Sequence, residues 1–185
     1  FFTCEGGLEK KDITELLELA EAGGFQFSNQ KGTVTEVDFI SVYAADLVDK
    51  IRKGANDPDD FMQPLKGLKI IVDAGNGAGG FFVKKVLEPL GADTTGSQFL
   101  EPDGSFPNHI PNPEDKTAME SIRKAVLDNK ADFGIIFDTD VDRAGAVDKN
   151  GKEINRNRII ALMASIVLEE HPGSVIVTDS ITSDE

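Results

Sequence analysis

What this chain has little of narrows it first. Cysteine occurs once in 185 residues, at Cys4, so no internal disulfide can form. That usage suits a reducing compartment. Positive charge is scarce: 19 Lys and Arg stand against 33 Asp and Glu, a formal net charge of −14. Such a balance argues against nucleic acid or an anionic membrane surface as the main partner. No apolar run reaches the roughly 18 residues that a membrane-crossing helix needs. Internal repeats, low-complexity tracts and a signal-peptide pattern are missing too. The chain does not open on Met. Phe1-Phe2 reads as the middle of a strand and Ser183-Asp184-Glu185 as an equally arbitrary stop, so a piece of a longer protein is expected.

What is present is a 39% hydrophobic content, enough for a packed core. Asp12 with Glu15 has the form of a capping box and Gly23-Gly24 of a stop. A short helix is predicted between them, with Ile13, Leu16, Leu17 and Ala20 on one face. A connector over 25–34 leads to an amphipathic helix from about Thr35, ended by the Asn56–Asp60 stretch. From Lys66 strands and helices alternate. Strands are predicted over Leu68–Val72, Asp93–Ser97, Asp132–Phe137, Ala144–Val147 and Val175–Thr178. Helices are predicted from a glycine-rich turn to Leu90, over Asp115–Asn129, and from an Asn155 cap to His171. A proline-rich irregular stretch, Phe99–Glu114, interrupts them. The alternation implies the α/β class: a layered domain with a mainly parallel mixed sheet flanked by helices. Apolar runs such as IIV and GIIF suit strands covered on both faces.

Residues 133–143 read FGIIFDTDVDR, an apolar strand running into Asp138, Asp140 and Asp142 and closed by Arg143. Alternate residues of a flat strand stand about 6.6 Å apart. A hard cation needs oxygens at about 2.0–2.6 Å. The chain must therefore curl at the strand end if the three carboxylates are to share one ion, and strand ends are where open α/β sheets place ligands. Oxygen-only donors suit Mg²⁺ or Ca²⁺. A solvated acidic turn is the other reading of the same residues. An EF-hand is excluded, because its glycine and glutamate positions hold Arg143 and Lys149. A haloacid-dehalogenase-type phosphatase also carries two such aspartates after a strand, but its later motifs would have little chain left to occupy. Arg143 reads either as a planar cation for a phosphate or as a salt bridge across the loop.

The turn VDAGNGAGG places Gly75, Gly77 and Gly80 at dinucleotide-fingerprint spacing. The acidic residue that such a site wants about 20 residues on is not at a strand end. Glycines needed for positive φ and close packing explain the turn as well. His109, in the proline-rich loop, is expected to make a structural hydrogen bond or to face a cleft.

Three stretches, LKIIVDAGNGAGG, DGSFPNHIPNPED and DFGIIFDTDVDRAGAVDKNGKEI, occur in this order. In order and wording they resemble the second domain of the α-D-phosphohexomutases, the phosphoglucomutase and phosphomannomutase superfamily. The resemblance covers roughly Lys66 to Thr178. It implies an enzyme in which a phosphoserine on the first domain exchanges its phosphoryl group with a hexose monophosphate through a bisphosphate. It implies Mg²⁺ bound by Asp138, Asp140 and Asp142, with Arg143 facing the phosphoryl group. It also implies the remaining domains of the same chain as partners. Residues 1–24 then end the first domain, 25–65 form a connector and amphipathic helix, 66–180 form the second domain and 181–185 begin a linker. A piece without the serine loop is expected to be inactive alone. The alternatives at this point are the phosphatase and a non-catalytic divalent-cation-binding module. Composition and resemblance together point to the cytoplasm, or to an organelle stroma.

Overall fold

The computed structural model describes residues 2–4, 6–23, 25 and 32–178. The chain divides into two compact units between Val37 and Asp38. In the first, β1 (Phe2–Thr3) pairs antiparallel with β2 (Gly6–Gly7), and α1 (Lys10–Glu21) follows. The first turn of α1 starts earlier than the sequence suggests. The Glu9 amide donates to Asp12 Oδ2 at 3.0 Å, so Asp12 lies inside the helix and Glu9 is the cap. The linker expected at 181–185 lies outside the described residues.

The second unit opens with α2 (Phe39–Ala55). Asp38 caps it by accepting from Ser41 N, which sets the start four residues beyond the expected Thr35. Asn56, at φ 43°, ends it in the left-handed conformation. The central sheet holds β3 (Ile70–Asp73), β4 (Phe133–Phe137) and β5 (Ala144–Asp148) in that order. β3 and β4 are parallel; β4 and β5 are antiparallel. The predicted strand over 93–97 is reduced to single bridges at Asp93 and Gln98, both parallel to β3. Gly96, at φ 104°, and a Thr94–Ser97 turn break it. Val175–Val177 form no strand: Val175 and Val177 are almost fully exposed, without a bridge partner among the described residues.

Strand alternation distributes the core. Ile71 of β3, Ile136 of β4 and Val147 of β5 pack with Ala118, Ile122 and Val126 of α3 (Lys116–Asn129). Ile70, Val72 and Phe137 face the other way, onto Val83 and Leu87. That helical run is not a regular α-helix. It is 3-10 over Ala78–Gly80, π over Val83–Leu87 and 3-10 again over Glu88–Leu90. Pro89 has no amide to donate, and the turn before it widens so that Glu88 N reaches Val83 O. Ala44 and Val48 of α2 cover Val86 and Leu90 as an outermost layer. α4 (Arg156–Glu170) is capped by Asn155, as expected. The strands are therefore covered on both faces.

The sheet meets α3 closely at Gly134, where an added Cβ would lie 2.5 Å from Val126 Cγ2 and 3.0 Å from Ile122 Cγ1. Both neighbours are fully buried and cannot give way. Gly134→Ala is expected to lower stability by about 1–3 kcal/mol through overpacking. Gly104→Ala, with nothing within 4 Å, should change it by less than about 0.5 kcal/mol. Urea unfolding of the two variants checks both.

Candidate functional site

The aspartate run forms the connection of the β4–β5 hairpin. The Asp138 amide donates to Arg143 O at 3.2 Å, and the Arg143 amide donates back to Asp138 Oδ1 at 3.0 Å. Between these closures the chain makes the curl that the sequence argument requires. Val141 adopts φ 68°, a rare conformation for a β-branched residue. Its half-buried side chain packs against the Val72–Phe137 cluster, which offsets a cost of about 1–3 kcal/mol.

The curl brings Asp138, Asp140 and Asp142 together, with one oxygen of each within 4.8 Å of the others. Opposite ligands of one hard cation stand about 4.0–5.2 Å apart. The donor set, all oxygen and all anionic, therefore fits a divalent cation. Asp138 is buried, whereas Asp140 and Asp142 are exposed.

Arg143 holds Asp138 twice more. Its Nε and Nη2 both lie 3.1 Å from Asp138 Oδ2, and Nη1 lies 3.3 Å from Asn112 Oδ1. Just over half of the arginine side chain, 53%, still faces solvent. Burial works against the ionised form of Asp138. The Arg143 amide, the neighbouring Asp142 carboxyl and the guanidinium outweigh it and hold the pKa below the ordinary aspartate value. Asp142 moves the other way: its hydrogen bonding with Asp138 and the charges of Asp140 and Asp138 push it up. The two carboxylates are thus biased in opposite directions, Asp138 towards the ionised form and Asp142 away from it.

The glycine turn supports this loop. The Ala78 amide donates to Thr139 O at 2.9 Å. A Cβ on Gly77 would stand 2.7 Å from that same carbonyl, and one on Gly80 would overlap the Leu100 carbonyl. Glycine is needed here for close approach of backbones, which is the packing explanation of the motif.

Sequence reasoning missed Asp73. It ends β3 with no exposed surface. Its carboxylate accepts from Gly75 N at 2.9 Å, Gln98 Nε2 at 2.8 Å, Ser121 Oγ at 2.8 Å and His109 Nε2 at 3.0 Å. The one available signal was a lone carboxylate closing an all-apolar strand, IIVD. His109 takes the structural role among its two expected ones: it is buried, bonded to Asp73, and stacked edge-on to Phe99 with centroids 5.6 Å apart.

The family described as "Phosphoglucomutase/phosphomannomutase, alpha/beta/alpha domain II" matches residues 45–151, more than half of the chain. The chain belongs to this family. A phosphoglucomutase of Neisseria gonorrhoeae is 35% identical over 167 residues, covering 90% of this chain and 34% of the relative. A phosphomannomutase of Salmonella typhimurium is 35% identical over 176 residues, covering 90% of this chain and 36% of the relative. The crystal structure of a phosphoglucomutase/phosphomannomutase family protein from Burkholderia thailandensis aligns with TM-score 0.65 and 28% identity, over 90% of this chain and 33% of that one. The chain spans about a third of the length of the curated relatives it matches. The phosphohexomutase resemblance and the α/β class expected from the sequence both stand, and neither finding supports the dehalogenase-type phosphatase. Among the described residues no helix is long and apolar enough to cross a membrane.

Two expectations follow for this phosphohexomutase-family domain. Asp138 has a lowered folded-state pKa, so its stabilisation is present above the ordinary aspartate value and is lost as pH falls through the folded value. Asp142 has a raised pKa, so ionising it costs stability as pH rises through that range, and the cost persists at neutral pH. Asp138→Asn should therefore lower the metal-free Tm at pH 7, whereas Asp142→Asn should raise it; thermal scans from pH 3 to pH 7 check the signs. Asp73→Ala removes the acceptor of a buried histidine and of three further donors, and should cost about 3–5 kcal/mol in urea unfolding.

Proposed function

We propose that this chain is the metal-binding second domain of a phosphohexomutase, an isomerase that interconverts hexose 1-phosphate and hexose 6-phosphate through a phosphoserine carried elsewhere in the same protein. The observation that carries the reading is the loop itself: three carboxylates gathered within reach of one cation, with Arg143 fixed beside them. The boundaries that go with it are 1–24 for the end of a first domain, 25–65 for a connector and helix, 66–180 for the second domain and 181–185 for the start of a linker. In packing terms α2 sides with the second unit, through Ala44 and Val48.

Phosphoryl transfer asks little covalent chemistry of a protein and much positioning and charge neutralisation. Asp138, Asp140 and Asp142 would hold Mg²⁺, which when bound neutralises charge on a phosphoryl oxygen. Asp138 is pre-ionised by its bonds to Arg143, so it is ready as a ligand. Arg143 meets Asp138 through Nε and Nη2 and would present the exposed remainder of that planar cation to a phosphate. Few protein ligands and an exposed rim leave space for a phosphate oxygen, which a closed structural site would not. On this reading the phosphoserine comes from another part of the protein, and the chain alone is expected to be inactive. The cytoplasm, or an organelle stroma, is the compartment that goes with this reading.

Calorimetric titration with Mg²⁺ and Mn²⁺ tests it. One site per chain is expected, lost in Asp140→Asn. A binding isotherm unchanged by Asp140→Asn would overturn the assignment of the loop.

A further inference from the structure

The buried hydrogen-bonded pair of His109 and Asp73 lies outside the aspartate loop and takes no part in the chemistry just described. Its side chains are 2% and 0% exposed. It is costly to desolvate two such groups, and the surrounding contacts show what the pair holds. His109 Nε2 reaches both oxygens of Asp73, at 3.0 and 3.1 Å, while Nδ1 lies 3.0 Å from Ile110 O. That same carbonyl accepts from the Asn112 amide at 2.8 Å. The Asn112 side-chain oxygen then accepts from Glu114 N at 3.1 Å and from Arg143 Nη1 at 3.3 Å. A continuous path therefore runs from the end of β3 through the imidazole and one shared carbonyl to the guanidinium.

The segment between has little freedom. Pro111 and Pro113 flank Asn112 and are both buried. Pro111 sits over Gly75, 2.7 Å from where a Cβ would be, and Pro113 over Gly145 at 3.1 Å. Proline fixes φ at both positions, so the direction of the Asn112 side chain follows from where His109 anchors the loop. Upstream, Asn108 Nδ2 ties to Asn76 Oδ1 at 2.7 Å, which attaches the loop to the same glycine turn that holds Thr139.

We propose that His109 is a positioning residue for Arg143: anchored on Asp73, it sets the proline-rich loop so that Asn112 fixes the free edge of the guanidinium. Arg143 is then held on one edge by Asp138, with Nε and Nη2 at 3.1 Å and Asp142 Oδ1 at 3.4 Å from Nε, and on the other by Asn112 at 3.3 Å from Nη1, with Glu114 Oε1 farther off at 4.0 Å. Two anchors define the plane of the cation, which one anchor leaves free to rotate. The catalytic consequence rests on the reading of Arg143 as a phosphoryl-facing cation; the geometric part does not.

Nitrogen-15 NMR of the labelled chain tests the geometric part without substrate. In the native chain Arg143 should show slow rotation of its guanidinium, with resolved Nη signals, and His109 should show a slowly exchanging ring N–H. His109→Gln and Asn112→Ala should both collapse the Nη signals and leave the Arg143 Nε signal in place. Ser105→Ala, in the same loop, should leave all of them unchanged. A folded His109→Gln chain with native Nη signals would overturn the proposal. Should His109→Gln fail to fold, unaltered Nη signals in Asn112→Ala, or rapid exchange of the His109 ring protons in the native chain, would overturn it equally. In the full-length enzyme, His109→Gln should lower kcat at least tenfold with unchanged KM for Mg²⁺, and less than twofold in an Arg143→Lys background. Equal losses in the two backgrounds would show no coupling between His109 and Arg143 and would overturn the catalytic part of the proposal. Failure of the chain to bind Mg²⁺ would strike the proposed function and leave the NMR outcome standing.

Discussion

A buried carboxylate is tolerable only when its charge is met by donors on several sides, and Asp73 meets that condition with donors from four segments of chain. Gly75 belongs to the turn after β3, Gln98 to the broken edge strand, Ser121 to α3 and His109 to the proline-rich loop. Each of these segments could pack in more than one way if judged by its apolar residues alone. One fully desolvated charge removes the alternatives, because any arrangement that withdraws a donor leaves part of that charge unmet. The end of β3 is thereby the point at which the sheet, a helix and two loops are brought into register. Among the described residues, no buried side-chain polar atom is left without a hydrogen bond.

The candidate metal loop is built on the opposite electrostatic principle. Asp73 is balanced inside the protein; the loop carboxylates are balanced only in part. Arg143 accounts for Asp138, and the exposed Asp140 and Asp142 keep an excess of negative charge at the surface. Like charges held together by a hairpin and a strained Val141 are a standing invitation to a cation, and the raised pKa of Asp142 is the sign of that tension. The glycine turn makes the arrangement rigid from below. Its backbone approaches Thr139 and Leu100 so closely that no side chain fits between them. Binding power here comes from where the backbone is allowed to go as much as from which side chains are carried.

How much of this was legible in the sequence depends on the range of the interactions involved. The strands at 70–73, 133–137 and 144–148, the capped helices α3 and α4, and the three aspartates with Arg143 were all readable. Each is announced by neighbours within a few residues: an apolar run, a cap, a regular charge spacing. The strand expected at 93–97 failed because Gly96 turns the chain where a strand would need extension, and the one at 175–178 has no bridge partner among the described residues. The regular helix expected after the glycine turn became a 3-10 and π mixture because of the missing amide at Pro89 and the tight approach at Gly80.

By itself, then, the sequence determined the class of the fold, the oxygen-only character of the acidic loop and the requirement that this loop curl. Those follow from chemical type and from spacing along one strand. Only the tertiary structure decided that Asp73 and His109 form a buried pair across 36 residues, that Asn112 reaches Arg143 across 31, and that the glycines let the backbone approach Thr139 and Leu100. Hydrogen bonds of that reach leave no periodicity in the sequence. They exist because packing of the sheet against α3 and the helical run brings distant segments within hydrogen-bond distance, and a linear pattern cannot say which of many polar residues will be the ones to meet.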